Sequence, residues 1–266
     1  MTTVTINGEA FGVVQRGEGH PLLLVHGFPL NHSMWNPQID HFAETHHVIA
    51  PDLRGFGGSL RTSGRVTMEG YADDLARLLD ALHVQQPVAF CGLSMGGYIA
   101  WQFWRKYPNR VAGLILCDTR AVADSEKVSR GRLQMAQRVL REGAEFVADD
   151  MVPKLVCPTT AVDQPQLLAA IRQMILSTNP QTIAAAQRGM AARPDVTSLL
   201  SGISVPTLVV VGQHDEISPP EEMRAIAAAI PGARIVEIPD AGHMAPLENP
   251  AVVNAAVGAM LSGLDW

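Results

Sequence analysis

The pentapeptide Gly92-Leu93-Ser94-Met95-Gly96 constrains this chain more than any other stretch. It follows the apolar run Val88-Ala89-Phe90-Cys91 and precedes residues 95–107, whose spacing predicts a helix stopped near Pro108. A serine held in a sharp strand-to-helix turn needs small neighbours, because the turn brings backbone segments close together. The turn also sets the Ser94 hydroxyl near a helix N-terminus, where partial positive charge favours developing negative charge. Glycine-rich turns produce the same pattern by chance. Here the strand before it and the helix after it single out a nucleophile.

A buried strand running into a helix is one unit of a parallel sheet, and the chain repeats it. Short apolar or β-branched runs stand at residues 21–25, 47–50, 87–91, 111–117, 206–211 and 234–238, and helical spacing covers 67–83, 219–230 and 246–261. Residues 4–6 and 11–15 predict an antiparallel edge. The fold class is α/β, a mostly parallel, doubly wound sheet with helices on both faces. Residues 121–192 hold no convincing strand and read as helices over 130–141, 144–151, 165–177 and 180–191. Pro165 and Pro180 suit first-turn positions, and Asn179 suits an N-cap. The expected division is a core of residues 1–120 and 193–266 with a helical cap inserted at 121–192.

Serine is a weak nucleophile and needs a base, itself oriented by an acid. Nine histidines are available, and position selects His243, in Ala241-Gly242-His243 between the last strand and the last helix. Strand ends on that face of a parallel sheet converge on the nucleophile. The acid is expected at Asp215, after the penultimate strand, which gives the chain order serine, aspartate, histidine. Asp118, one strand earlier, is the rival. Oxyanion donors are expected from the backbone amides of Met95 and of Phe28, since Pro29 has no N–H. His26 is read as packing its turn and His214 as a loop neighbour. The glycines of residues 54–59 lack a P-loop's lysine, and the adjacent His46-His47 pair lacks further ligands at metal spacing, so neither phosphate nor metal is expected.

A formal charge of −6 gives no electrostatic footprint for nucleic acid or an anionic membrane. Three cysteines argue against a disulfide framework, and the first residues lack the pattern of a secretory signal, so a cytoplasmic location is the expectation. No segment has the length and apolarity of a membrane span. The oligomeric state stays open.

Together His26-Gly27-Phe28-Pro29, residues 52–59, Gly92-Leu93-Ser94-Met95-Gly96-Gly97, Gly212-Gln213-His214-Asp215 and Ala241-Gly242-His243 resemble the α/β-hydrolase superfamily over nearly the whole chain outside the cap. Ser33-Met34-Trp35, Val205-Pro206-Thr207-Leu208, Ile230-Pro231-Gly232-Ala233-Arg234 and Glu248-Asn249-Pro250 look most like 3-oxoadipate enol-lactonases and small carboxylesterases. The resemblance implies cofactor-free cleavage of a small ester or lactone through an acyl-enzyme. Epoxide hydrolases and haloalkane dehalogenases share the His-Gly-x-Pro turn but carry an aspartate nucleophile, against Ser94. Carbon–carbon bond hydrolysis, peracid formation as in cofactor-free haloperoxidases, and a slow-turnover ligand receptor use the same constellation and stay open. The cap is expected to supply apolar residues to the substrate site, and Arg132, Arg138 and Arg188 are candidates for holding a substrate carboxylate.

Overall fold

The computed structural model describes residues 1–266. Eight strands make one sheet: β1 (Thr2–Ile6), β2 (Glu9–Arg16), β3 (Pro21–Val25), β4 (His47–Pro51), β5 (Val88–Leu93), β6 (Val111–Cys117), β7 (Thr207–Gly212) and β8 (Arg234–Ile238). The helices are α1 (Asn36–Phe42), α2 (Met68–Ala81), α3 (Met95–Lys106), α4 (Glu126–Glu142), α5 (Glu145–Leu155), α6 (Pro158–Asp163), α7 (Pro165–Ser177), α8 (Pro180–Ala191), α9 (Pro220–Ala229), α10 (Ala245–Glu248) and α11 (Pro250–Leu261).

The spatial order of strands is β1-β2-β4-β3-β5-β6-β7-β8. Only β2 runs against the rest, pairing antiparallel with β1 and β4, and every other pairing is parallel. β3, β5 and β7 are buried at every residue, as central strands covered on both faces must be. The chain leaves β3 for β4 on one side and returns to β5 on the other. The carboxyl ends of β3 and β5 therefore flank the point where strand order reverses, which is where an open parallel sheet forms a crevice for ligands.

Local signals set most helix boundaries. The Thr67 side chain accepts the Gly70 N–H to start α2, whose Tyr71, Leu75, Leu78 and Leu79 are buried at helical spacing. Asn179 accepts the Gln181 N–H ahead of Pro180 at the start of α8. The segment 246–261, read as one helix, is two: α10 ends at Glu248, and Pro250 opens α11. Proline disfavours helical backbone at the residue before it, and Asn249 is extended out of helix at φ −136° and ψ 66°. Helices α1 and α6, of seven and six residues, were not anticipated. Helices α4 to α8 follow one another between β6 and β7. Their buried residues, Ala136, Val139, Ile171 and Ile183 among them, belong to the same apolar cluster as the sheet. No helix is long and apolar enough to cross a membrane.

Candidate active site

Ser94 sits between β5 and α3 at φ 51° and ψ −109°, a left-handed conformation that costs a non-glycine residue on the order of 1–3 kcal/mol. Its surroundings hold it there. The Ser94 N–H donates to Cys117 O at 2.9 Å, and its carbonyl accepts the N–H groups of Gly97 (2.9 Å) and Tyr98 (3.1 Å) and the Thr119 hydroxyl (2.7 Å). The flanking glycines are sterically required. A Cβ on Gly92 would stand 2.5 Å from the Gly96 backbone, and one on Gly96 would collide with the Val25 carbonyl. Ser94 alone in the run 91–100 is more than marginally exposed, so the turn presents it to the crevice.

His243 and Asp215 meet in a buried pair, each 3% exposed, with His243 Nδ1 2.8 Å from Asp215 Oδ2. The other oxygen, Oδ1, accepts the N–H groups of Ile217 (2.8 Å) and Ser218 (3.0 Å), which leaves Oδ2 aimed at the imidazole. With Nδ1–H donating to the carboxylate, Nε2 carries the lone pair that general-base chemistry needs. Asp118 faces elsewhere. Its Oδ1 accepts the Gly212 N–H at 2.8 Å, and its Oδ2 is buried with no partner. Burial, then the nearby charge of Asp215, push the Asp118 carboxyl well above the usual carboxylate range. His214 is a loop neighbour. Its N–H donates to Ala241 O, and it lines a cavity of about 450 Å³ beside Lys154, Pro158 and Glu216.

The turn after β3 lies against the serine. A Cβ on Gly27 would be 3.4 Å from Leu93 O and 3.5 Å from Ser94 Cβ, so this turn packs directly on the turn that carries Ser94. The Phe28 N–H donates to no group of the chain. Met95 is the first residue of α3, a position whose N–H has no intrahelical acceptor. His26 is fully buried, with Nε2 accepting the Leu53 N–H (3.0 Å) and Nδ1 facing Gly27 O (2.9 Å). Both nitrogens are used, and burial lowers its pKa to about 4, so it braces the turn as a neutral ring. Residues 54–59 also form a structural turn. Asp52 accepts the Gly58 N–H (2.7 Å), and the Ser59 hydroxyl donates to Asp52 O (2.6 Å).

The three cap arginines already have partners. Arg132 Nε is 2.6 Å from Asp124, Arg138 Nε is 2.6 Å from Glu142, and Arg188 donates to Gly64 O at 2.8 Å. No three His, Cys, Asp or Glu side chains converge as a metal site requires. Two contributors lie outside the expected catalytic set: Thr119, which braces the Ser94 carbonyl, and Glu248, noted above only for its place in Glu248-Asn249-Pro250, which accepts amides beside His243. Neither has a periodicity or spacing to announce it.

A family model described as the alpha/beta hydrolase fold matches residues 20–250. 3-Oxoadipate enol-lactonase 2 of Acinetobacter baylyi is 27% identical over 258 residues, 97% of this chain and 93% of that one. A thermophilic esterase from Thermogutta terrifontis is similar in structure with a TM-score of 0.95, at 49% identity over 98% of this chain and 97% of that one. The enol-lactonase from Burkholderia xenovorans gives a TM-score of 0.91 at 30% identity, over 98% of this chain and 100% of that one.

Proposed function

The chain belongs to the α/β-hydrolase family, and on that premise we propose that it is a serine hydrolase of carboxylic esters acting through a Ser94–His243–Asp215 triad. One observation carries the reading: the buried pair of His243 and Asp215 stands at the carboxyl edge of the sheet that also presents Ser94 on its strained turn. Ser94 Oγ attacks the ester carbonyl carbon while His243 Nε2 takes the hydroxyl proton. Asp215 stabilises the imidazolium and keeps the ring in its productive tautomer. The oxyanion is received by the Phe28 and Met95 amides, donors that need no rearrangement as the charge develops. Collapse breaks the bond to the leaving alkoxide, which takes the proton from His243 and departs as alcohol, leaving the acyl group on Ser94. Water then donates a proton to His243 and attacks the acyl carbon, releasing the acid and returning the proton to Ser94.

Helices α4 to α8 form the proposed cap and set which acyl groups fit. Among the cap arginines Arg132 is held by the buried Asp124, whereas Arg138, in an exposed pair with Glu142, and Arg188, on the Gly64 carbonyl, keep charge that a substrate carboxylate could meet. Ser94→Ala tests the mechanism. On short nitrophenyl esters its kcat should fall on the order of 10⁶-fold, with the fold retained by circular dichroism. More than a few per cent of residual activity in pure protein would overturn the reading.

A further inference from the structure

Glu248 closes α10, and the triad makes no use of it. Its carboxylate is buried, and it accepts three backbone amides. Oε1 takes the N–H groups of Gly242 (2.8 Å) and Met244 (3.2 Å), the residues on either side of His243. Oε2 takes the N–H of Cys157, in the link between α5 and α6, at 2.7 Å. The same link holds the histidine loop by two further contacts. The Met244 N–H is shared with Leu155 O at 2.9 Å, and Gly242 packs so closely that a Cβ there would be 2.7 Å from Cys157 N.

One hydrogen bond to Asp215 fixes a single edge of the imidazole, and the ring can still swing about that bond. Its remaining freedom is set by the backbone that carries it. Hydrogen bonds donated to an ionised acceptor are about twice as strong as neutral ones, and a buried carboxylate is tolerable only when donors surround it. A carboxylate bridging both flanks of one residue is therefore a stiff bracket.

We propose that Glu248 is a positioning residue for His243, bracketing the loop that carries the imidazole and tying that loop to the helical segment at Cys157. The inference rests on His243 being the catalytic base. Glu248 touches no reacting atom and acts only through the backbone.

Two variants and two measurements test it. Glu248→Gln keeps the shape and one acceptor oxygen but sets an NH₂ group against a backbone N–H. Glu248→Ala removes the bracket. Expected is a fall in kcat on short nitrophenyl esters of about 10-fold for Gln and about 100-fold for Ala, as small misplacements of catalytic groups produce, with KM changed less than about threefold. The second readout is the low-field proton resonance of the imidazole–carboxylate hydrogen bond, assigned by its loss in His243→Gln. In Glu248→Gln it should shift or broaden, which a purely structural role would not require. Wild-type kcat and an unmoved resonance in the folded Gln variant would overturn the proposal, as would lowered thermal stability with both unchanged. If the Ala variant does not accumulate, the Gln variant decides alone. Failure of the mechanism itself is separable, because it shows as full activity in His243→Gln.

Discussion

Asp215 and Asp118 follow neighbouring strands, β7 and β6, and only the first reaches the imidazole. Asp215→Asn should lower kcat by about 10⁴, because an amide no longer stabilises the imidazolium and can favour the wrong tautomer. Asp118→Asn should leave kcat within a few-fold, and steady-state kinetics on one ester compares the two. Asp118 should instead be visible in the pH dependence of stability. Its folded pKa is raised, so from about pH 4, where an unfolded aspartate ionises, up to its folded value the native state binds one more proton. Stability from this group is fully present below pH 4 and is lost as pH rises, by about 1.4 kcal/mol per unit. His26 acts in the opposite sense: its pKa falls from 6.5 to about 4, so its contribution is present above 6.5 and lost as pH falls toward 4. His26 is common to both proteins and cancels in a difference. The Tm of Asp118→Asn minus that of wild type should therefore rise with pH above 4, and a flat difference would refute the buried neutral acid. Chain order pointed to Asp215 for the imidazole. The raised pKa of Asp118 was not legible, because burial and a missing partner are tertiary facts.

The elements between β6 and β7 hang from two chain segments that are fastened to each other. Asp124, just before α4, pairs with Arg132 Nε (2.6 Å) and with Nη1 of Arg193 (2.6 Å), a residue that follows α8. Arg193 lies over the Tyr98 ring at 4.3 Å and donates to Val122 O at 3.1 Å, while the Val196 N–H donates to Ala121 O at 3.0 Å. Asp124 and Arg193 are both almost wholly buried, so Asp124→Asn would leave guanidinium charge in the interior without its partner. Breaking such a pair costs about 3–5 kcal/mol, and for a chain of this size Tm should drop on the order of 10 °C. Differential scanning calorimetry checks this, and a drop under 2 °C would mean that the root does not depend on Asp124. The helices themselves were largely readable. Pro165, Asn179 and Pro180 punctuate α7 and α8 at the positions their backbone chemistry demands. The six residues of α6 hold fewer than two turns, too few for an apolar period to register. Arg193 was silent because its partner Asp124 is remote in sequence and both types ordinarily read as surface.

At the scale of the whole molecule, the question is whether α4 to α8 form a separate unit riding on the sheet. The expected division at residues 121 and 192 rested on the absence of strands between them, which says where the chain changes style and nothing of how firmly the parts are joined. The joints are many. The Thr182 hydroxyl donates to Gly55 O at 3.0 Å, the Thr178 hydroxyl to Pro29 O at 3.1 Å in the turn beside Ser94, and the Val66 N–H to Ala185 O at 3.3 Å. Gly189 packs so tightly on the Val66 carbonyl that no side chain fits there. Beneath these polar joints the buried apolar residues of helices and sheet form one cluster. Detaching the helices would expose the apolar faces of both parts at about 25 cal/mol per Å² and would orphan the buried carbonyls and amides at the joints. Neither part is then expected to have a stable form without the other, and the expected outcome is a single cooperative unfolding event. Calorimetry should give a van't Hoff enthalpy equal to the calorimetric one. Hydrogen exchange should protect the buried amides of α8 to within about 1 kcal/mol of those in β5, since both would open only through global unfolding. Two resolved transitions, or α8 amides exchanging several kcal/mol more easily than those of β5, would show instead a cap that opens by itself, and substrate entry would then be gated by that opening.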